Sequence, residues 1–323
     1  MKKSIAVIGQ GFVGGSLTTV FSERGFTVFT YDKAGKHKTA PGGVPLGNVY
    51  NNSLTNNHVQ QPKESVSLLV SLLEGEEDLN FSKVYFVCLP TPMYEDGSAD
   101  LSIVEGVLDE LSSIDGDRIA VVKSTIPPGS TEKWNKKYES TGLRVIFNPE
   151  FLTEANALND MRNQNRIILG GPRPWVNTVK QICQAAFPQV PIIKTSSTTA
   201  EMVKYMTNNF LTVKVAFANE MAQICEALDN SGLNVDYDKV VEYAKYDKRL
   251  GDSHWSVPGP DGHRGFGGHC FVKDLNAMIK VADDLNVDTP VMDGSWVKNL
   301  EVRPERDWEN LIGRAVSEKK DKQ

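Results

Sequence analysis

One thiol carries the clearest chemical signal in this sequence of 323 residues. Cys270 follows the glycine-rich run Gly265-Phe266-Gly267-Gly268-His269 and precedes a stretch with helical periodicity that includes Lys273 and Asp274. A helix N-terminus and a nearby lysine both favour the thiolate, which is the form that attacks carbonyl carbons. A cysteine taken alone is more often a packing residue, but a packed cysteine does not need such a flexible, polar surrounding. We therefore expect Cys270 to be a covalent catalyst and the remaining cysteines to be core residues: Cys88, Cys183 and Cys225.

Two further pairs of polar residues recur at a spacing of four. Glu150 and Glu154 follow a strand-like run, and carboxylates at that spacing can point into one cleft, where one of them handles the proton of a water molecule. Lys204 and Asn208 lie in a helical stretch and share a face, so they offer a cation and an amide donor to a developing oxyanion. The alternatives are a solvated turn for the glutamates and an exposed polar face for the helical pair.

A glycine-rich turn near the N-terminus predicts a dinucleotide site. The segment Gly9-Gln10-Gly11-Phe12-Val13-Gly14 directly follows a strand and opens a helix, which is the context in which three glycines allow a tight turn, approach of a pyrophosphate and close helix packing. Asp32 ends the second strand, where its carboxylate can accept hydrogen bonds from ribose hydroxyls and would repel a 2′-phosphate. The sequence favours NAD over NADP, although lysines at positions 33, 36 and 38 would suit the phosphate of NADP.

The elements that position these groups are short β-branched runs alternating with helical stretches. This rhythm predicts an α/β fold with a Rossmann-like, doubly wound, mostly parallel sheet in a domain of residues 1–196. The polar segment Ala34 to Pro62 is predicted to be a surface loop. The predicted strands are Ile5 to Gly9, Thr27 to Asp32, Val84 to Pro90, Ile119 to Thr125, Leu143 to Pro149, Arg166 to Gly171 and Pro191 to Thr195.

A second, mainly α-helical domain is predicted over residues 197–312. The run from Ser197 to Glu201 has the form of a capping box, and the residues up to Gly232 contain no proline or glycine, so one long helix should begin there. Such a helix of about 30 residues would be about 45 Å long, and we expect part of it to pack against a second subunit. A further helix is predicted from Lys273 to Leu285, and residues 313–323 form a charged tail. The long helix should bury a stripe formed by Val203, Met206, Phe210, Val213, Phe217, Met221, Ile224 and Leu228.

Charge, hydropathy and cysteine spacing argue against several classes of protein. A formal net charge of −6 gives no general attraction to nucleic acid or to anionic membranes. No apolar run approaches the roughly 20 residues that cross a bilayer, and the short N-terminal apolar run is a strand rather than a signal peptide, so a cytoplasmic protein is expected. The four cysteines are far apart without a Cys-x-x-Cys pair, which argues against a metal site and a disulfide framework.

Taken together, these motifs resemble those of the UDP-glucose/GDP-mannose dehydrogenase family. The matching segments occur in the family's order over about 275 residues. They are the glycine turn with Asp32, Leu89-Pro90-Thr91-Pro92, Lys123-Ser124-Thr125-Ile126-Pro127-Pro128-Gly129, Pro149-Glu150-Phe151-Leu152-Thr153-Glu154, Lys204 to Asn219, Asp247-Lys248-Arg249-Leu250-Gly251 and the Cys270 loop.

The resemblance implies a four-electron oxidation of a nucleotide sugar by NAD. The C6 alcohol becomes an aldehyde, Cys270 captures it as a thiohemiacetal, and a second oxidation gives a thioester that water hydrolyses to the uronate. Lys204 and Asn208 would hold the C6 oxygen, while Glu154, Thr125 and Asp274 would order or activate the water.

Binding roles follow from the same resemblance. The implied cofactor contacts are Gly9, Gly11, Phe12, Val13, Gly14, Asp32, Pro90, Thr91, Thr125 and Lys273. The implied substrate contacts are Glu150, Phe151, Leu152, Glu154, Lys204, Asn208, Gly267 and Arg249, the last a candidate to reach across a homodimer interface.

The sequence also departs from the family pattern. Family members usually continue into a third domain that grips the nucleotide, whereas this sequence ends at Gln323. The family's helical insert after the second strand is replaced by the Ala34 to Pro62 segment, and Val272 stands where many members have proline. Two alternatives stay open: a one-step hydroxyacid or 6-phosphogluconate type dehydrogenase, and a non-catalytic NAD-binding module.

Overall fold

The computed structural model describes residues 3–34, 42–45 and 83–318. Within these ranges eight strands form one sheet in the order β3-β2-β1-β4-β5-β6-β7-β8. The strands are β1 (Lys3–Ile8), β2 (Phe26–Tyr31), β3 (Val44–Pro45), β4 (Val84–Val87), β5 (Arg118–Val122), β6 (Leu143–Phe147), β7 (Ile167–Gly170) and β8 (Ile192–Thr195). All seven predicted strands are confirmed, with ends one to three residues shorter at several sites.

The strand order contains a switch point at β1, the kind of position at which doubly wound sheets bind ligands. Strand β1 pairs in parallel with β2 on one side and with β4 on the other, so the chain reverses its direction of winding there, and doubly wound sheets bind ligands beyond the carboxyl ends of such strands. The sheet is parallel except where β6 and β7 pair antiparallel at Phe147 and Gly170. The predicted Rossmann-like, mostly parallel sheet is confirmed.

Helices cover both faces of this sheet. Alternate residues of β1 enter different clusters, with Ala6 and Ile8 on one face and Ile5 and Val7 on the other, as expected for a strand buried on both sides. The first unit therefore has two hydrophobic layers. Its helices are α1 (Phe12–Glu23), α2 (Ser102–Ser112), α3 (Ser130–Lys137), α4 (Ala157–Arg162) and α5 (Trp175–Ala186).

The chain divides into two compact units. The first comprises residues up to Pro90 together with Leu101–Lys204, and the second comprises Thr91–Asp100 and the residues from Tyr205 onward. The division falls inside the long helix α6 (Ser197–Asn230), eight residues after the predicted domain boundary at 196/197, which stays a prediction. The other helices of the second unit are α7 (Tyr237–Ala244), α8 (Phe271–Asp284) and α9 (Pro290–Val302).

The second unit has its own hydrophobic cluster, centred on Phe266, Leu275 and Trp308. Ala315 belongs to this cluster and is fully buried, and Ser317 Oγ donates to Asp100 Oδ2 at 2.6 Å. The charged tail expected from residue 313 is thus packed at its beginning, because an apolar Ala-Val pair precedes the charges. Residues 319–323 lie outside the described residues.

The long helix is confirmed, but the prediction of which face it buries is wrong. Met206 and Phe210, both in the predicted buried stripe, are 74% and 66% exposed. The buried face instead carries polar and small side chains such as Lys204, Asn208 and Thr212. The apolar periodicity was real, but the polar residues of the opposite face find buried partners within the chain.

Most of the predicted surface loop from Ala34 to Pro62 lies outside the described residues. The part that is described, 42–45, contains the short strand β3, which was not predicted. Among the described helices, none has the length and apolar character required to cross a bilayer.

Candidate active site

The glycine turn forms as its spacing predicts. Gly9 directly follows β1 with φ +88°, and its N–H donates to the Tyr31 carbonyl. A Cβ on Gly14 would lie 1.8 Å from the Gly9 carbonyl oxygen, so only glycine allows α1 to pack this closely. A Cβ on Gly11, the N-cap of α1, would meet nothing within 4 Å. That open space beside a helix N-terminus fits a pyrophosphate.

Both carboxylate oxygens of Asp32 accept hydrogen bonds from nearby backbone N–H groups. Its Oδ2 accepts the Gln10 N–H at 2.7 Å, and its Oδ1 accepts the Ala34 N–H at 2.9 Å. Gln10 is buried, donates to the Val7 carbonyl and accepts from Thr18 Oγ1. Sequence reasoning missed Gln10 because it occupies a variable position of the glycine motif.

The loops after β4 and β5 are fastened to one another by Ser124. Its hydroxyl accepts from the Leu89 N–H at 3.0 Å and donates to the Leu89 carbonyl at 2.6 Å. These two bonds place the start of the Leu89-Pro90 segment beside Thr125, which is itself buried. The predicted cofactor residues Pro90 and Thr125 thus belong to adjacent loops of the first unit, whereas Thr91 is a buried residue of the second.

Glu201 anchors the far end of the Thr125 loop. It is fully buried, and its carboxylate oxygens accept the N–H groups of Gly129 at 2.6 Å and Thr131 at 2.9 Å. Burial raises the pKa of Glu201. The capping-box interpretation of this glutamate is wrong, because the side chain that caps α6 is Ser196, whose Oγ accepts the Thr199 N–H.

Lys204 forms a buried ion pair with Glu150. Its Nζ lies 2.9 Å from Glu150 Oε1 and 2.8 Å from the Glu150 carbonyl oxygen, while Glu150 Oε2 accepts the Leu152 N–H at 2.7 Å. Burial opposes ionisation of Glu150, but the Lys204 charge, the Leu152 N–H and Lys123 outweigh it and lower its pKa. The pair brings two predicted site residues together.

A small cleft opens beside the Glu150 segment. Its volume is about 210 Å³, and its walls include Lys123, Phe151, Leu152 and Arg166. The Arg166 guanidinium lies 4.0 Å from the centre of the Phe151 ring. Lys123 Nζ donates to Asn148 Oδ1 at 2.9 Å, and burial lowers the pKa of this lysine. Phe151 and Leu152 therefore lie at a cleft, as expected for ligand-contacting residues.

Glu154 has a different environment from Glu150. It is exposed and begins a short 3₁₀ turn, Glu154–Asn156. The preceding residue is fixed, because Asp160 Oδ2 accepts both the N–H and the hydroxyl of Thr153. An exposed carboxylate on an anchored turn is accessible to water.

Cys270 occupies the N-cap position of α8, which begins at Phe271, two residues before the predicted start at Lys273. In the first turn, Asp274 is 1% exposed and accepts from Lys273 Nζ at 2.5 Å and from Asn208 Nδ2 at 2.6 Å. The predicted residues Asn208, Lys273 and Asp274 thus form one connected network beside the helical turn that begins at the thiol.

The remaining cysteines behave as packing residues. Burial raises the pKa of both Cys88 and Cys183 to about 12, and Cys225 is buried on α6. Thiols with such a high pKa carry almost no thiolate near neutral pH. The prediction that they are core residues is confirmed for Cys183 and Cys225, while Cys88 is only partly exposed beside the glycine turn.

The loop before Cys270 is held by three side chains that sequence reasoning missed. Asn299 is fully buried, accepts the Phe266 N–H at 2.7 Å and donates to the Phe266 carbonyl at 2.9 Å. Asn219 Oδ1 accepts the Gly265 N–H at 3.2 Å. A Cβ on Gly267 would lie 2.3 Å from the buried Arg303 guanidinium. Gly267 is therefore a packing position, and its predicted substrate contact stays a prediction.

Arg249 does not join this network. Its side chain is 89% exposed and pairs with Asp247. The loop that carries it is tied down by Lys214, which donates to the Leu250 carbonyl at 2.9 Å and lies over the Trp255 ring. Within the described residues, no three side chains of the types that ligate metals form a cluster.

Comparison with known proteins identifies the family of the chain. Residues 3–186 match the NAD binding domain of the UDP-glucose/GDP-mannose dehydrogenase family, and residues 198–299 match the family's central domain. The chain belongs to this family. The prediction of NAD as the cofactor is thereby confirmed.

Individual relatives cover nearly all of the chain. A UDP-glucose 6-dehydrogenase of Rickettsia typhi is 30% identical over 306 residues, which are 93% of this chain and 67% of that protein. The UDP-glucose 6-dehydrogenase TuaD of Bacillus subtilis is 31% identical over 290 residues, 87% of this chain and 59% of its own length. The chain spans 59% to 67% of the length of these two curated relatives.

Solved structures agree on the fold. A UDP-glucose dehydrogenase from Pyrobaculum islandicum superposes with a TM-score of 0.72 at 27% identity, over 93% of this chain and 68% of that one. A 3-hydroxyisobutyrate dehydrogenase of Mycobacterium tuberculosis has a TM-score of 0.64 at 16% identity, over 95% of both chains. The second likeness concerns the fold alone.

Proposed function

We propose that this protein oxidises the C6 alcohol of a nucleotide sugar to a carboxylate with two equivalents of NAD. The observation that carries the proposal is Cys270 at the N-cap of α8, with Asp274 bound to Asn208 and Lys273 in the following turn. A one-step alcohol dehydrogenase needs a base and a hydride acceptor but no thiol. UDP-glucose is the first substrate to test, because the relatives are named for it.

The first half of the reaction forms the aldehyde. Bound NAD supplies the hydride acceptor for each oxidation. Lys204 and Asn208 donate hydrogen bonds to the C6 oxygen, so they stabilise the negative charge that it gains as its proton leaves. Lys204 is paired with Glu150, and its ammonium is therefore oriented by a carboxylate.

The second half passes through the thiol. The Cys270 thiolate adds to the aldehyde carbon, and the thiohemiacetal loses a second hydride to become a thioester. A water molecule ordered by Glu154, Thr125 and Asp274 then attacks the thioester carbon, which releases the uronate and returns the sulfur as thiolate. Glu154 is exposed, and so it can pass the proton of that water to solvent.

The ratio of NADH to acid tests this route. Purified protein is incubated with NAD and a panel of UDP- and GDP-sugars, and NADH and uronate are both measured. Two NADH per acid are expected. One NADH and no acid would indicate a one-step dehydrogenase, and no turnover with any sugar would indicate a non-catalytic NAD-binding module.

The variant Cys270→Ser separates the thiol's chemistry from its packing. It should greatly slow acid formation, because a serine alkoxide is not available near neutral pH as a thiolate is. The matched control is Cys225→Ser, which changes a buried cysteine on α6 and should leave the ratio at two. Uronate release by Cys270→Ser at the normal rate would contradict the proposal.

We also propose a homodimer formed through α6. The helix exposes a line of large apolar side chains, Met206, Phe210, Phe217, Ile224 and Leu228, and such a surface is typical of a protein interface. A second copy can cover it isologously, since the same stripe can face itself. Sedimentation should show a dimer for the unmodified protein and a monomer for Phe210→Asp, while the control Lys136→Glu, on an exposed polar position of α3, should remain dimeric.

A further inference from the structure

The N-terminus of α3 lacks a cap from its own residues. Its N-cap is Gly129, which has φ +92° and no side chain to accept a hydrogen bond. Helix N-termini leave several N–H groups without intrahelical partners, and these are normally satisfied by the N-cap side chain. Here the acceptor comes from another helix, because Glu201 of α6 takes the N–H groups of Gly129 and Thr131.

The carboxylate oxygens of Glu201 are suitable acceptors at this place. A carboxylate beside a helix N-terminus interacts favourably with the positive end of the helix dipole. Glu201 is fully buried and reaches residues 70 and 72 positions earlier in the chain. A buried carboxyl group that accepts these two N–H groups fixes the position of one helix relative to the other.

The segment between Thr125 and Gly129 couples the position of Thr125 to that of the α3 N-terminus. Ile126 is fully buried in the hydrophobic cluster of the first unit. Pro127 and Pro128 follow, and proline restricts the backbone to a narrow range of φ. Ser130 closes the turn, since its N–H and its hydroxyl both donate to the Pro127 carbonyl, at 3.1 and 2.6 Å. A shift at Gly129 therefore moves the whole loop that carries Thr125.

We propose that Glu201 is a positioning residue for Thr125, acting through the cap of α3. This positioning role deepens the proposed function and rests on that function only for the role of Thr125. One turn later on the same helix, Lys204 holds the Glu150 segment. The start of α6 thus fixes two neighbouring loops at the carboxyl ends of the strands, one through the carboxyl group of Glu201 and the other through the ammonium of Lys204.

The first test measures the loop directly. In Glu201→Gln the amide keeps one oxygen but loses the charge and turns its NH₂ group towards a backbone N–H. Amide hydrogen exchange at Gly129 and Thr131 should become at least about tenfold faster. The control is Glu139→Gln, an exposed carboxylate beyond the C-terminal end of α3, which should leave both rates unchanged. Unchanged exchange in Glu201→Gln would overturn the inference.

The second test asks whether Glu201 acts through Thr125. Glu201→Gln should lower kcat for uronate formation about tenfold or more, since small displacements of an oriented group are expensive in rate, while KM for the sugar stays within about twofold. In a Thr125→Val background the same change should lower kcat by less than about twofold, because coupled residues are not additive. Equal losses in both backgrounds would overturn the inference.

A second variant serves if Glu201→Gln fails to fold. Glu201→Asp, which keeps the charge but is one methylene shorter, should show the same faster exchange at Gly129 and Thr131. A wild-type protein that oxidises no nucleotide sugar would remove the proposed function. Hydrogen exchange at Gly129 and Thr131 would still decide whether Glu201 holds the loop.

Discussion

Two loops carry predicted catalytic groups, and different groups fix their backbones. The Thr125 loop contains two prolines and ends at Gly129, whose N–H is held by the carboxylate of Glu201. The Cys270 loop is rich in glycine, and neutral amides of Asn299 and Asn219 hold its backbone N–H groups. The prolines stiffen the Thr125 loop and Glu201 anchors its end, whereas the Cys270 loop depends on the side chains of other elements.

This difference predicts that different substitutions destabilise the two loops. Prolines restrict the unfolded chain, so a proline-containing loop loses little conformational entropy when the protein folds. A substitution within such a loop should therefore change the stability little, whereas a substitution of its anchor should change it more. A glycine loop packed against buried side chains is sensitive both to loss of those side chains and to any added atom. Four experiments compare the loops, in order of decreasing expected effect.

The largest effect is expected from Asn299→Leu. The change keeps the side-chain volume but removes the hydrogen-bond partners of both the N–H and the carbonyl of Phe266. Each buried polar group left without a partner costs about 2 kcal/mol, so the free energy of unfolding should fall by about 4 kcal/mol. Urea unfolding measures the free energy. Asn219→Leu, which removes only the acceptor of the Gly265 N–H, should lose less, and an equal loss for the two variants would contradict the assignment of both Asn299 bonds.

A steric effect is expected from Gly267→Ala. The added Cβ would lie 2.3 Å from the Arg303 guanidinium, which is buried between Asp261 and Asp307 and cannot move freely. Overpacking of this kind costs about 1–3 kcal/mol. The control is Gly294→Ala, where a Cβ meets nothing within 4 Å inside α9, and this change should be neutral or stabilising.

The anchors should also differ in their response to pH. Burial, reinforced by Glu132, raises the pKa of Glu201, so the folded state holds this proton to higher pH than the unfolded state, whose ordinary pKa is 4.5. Stability of the wild type should therefore fall, relative to Glu201→Gln, as pH rises from 4.5 through the raised pKa. Urea midpoints at several pH values measure this difference. The difference between wild type and Asn299→Leu should not vary over the same range, because an amide does not titrate.

The smallest effect is expected within the proline loop. Pro128→Ala should destabilise the protein by about 0.4–1 kcal/mol, because the change adds freedom to the unfolded chain and removes little from the folded one. The thermal midpoint measures it, with Pro304→Ala in an exposed loop of the second unit as the control. A loss as large as that of Asn299→Leu would show that the loop depends on its prolines for contacts rather than for stiffness.

The sheet and the glycine turn were predictable because their signals are local. The strands of the first unit are β-branched runs, and the turn at Gly9 and Gly14 follows from backbone geometry that only glycine satisfies. The position of Cys270 at the start of a helix was also predictable, since the glycine-rich run cannot continue a helix and the residues after it can.

Residues that act across long sequence distances were not predictable in the same way. Glu201 fits a capping box by spacing, yet its carboxylate accepts from N–H groups of another helix. Asn299 and Asn219 have no local pattern that distinguishes them from surface amides. Their roles depend on which elements the fold brings together, and periodicity contains no information about that.

The long helix shows why hydrophobicity alone misplaced a buried face. The pattern predicts that its apolar stripe faces the core. Instead Lys204 and Asn208 are buried, because they donate hydrogen bonds to Glu150 and Asp274. A signal for this was present, since Lys204, Asn208 and Thr212 recur every four residues. Such a polar stripe indicates function when an equally regular apolar stripe lies elsewhere on the helix.

The hydrogen bond from Gln10 to Asp32 has a consequence for cofactor engineering. The carboxylate that would exclude a 2′-phosphate also accepts the Gln10 N–H at 2.7 Å, so discrimination and the shape of the turn share one side chain. A designer who replaced Asp32 with serine to admit NADP would loosen the turn at the same time. The substitution Asp32→Asn would be the gentler starting point, because it removes the repulsion and retains an oxygen for Gln10.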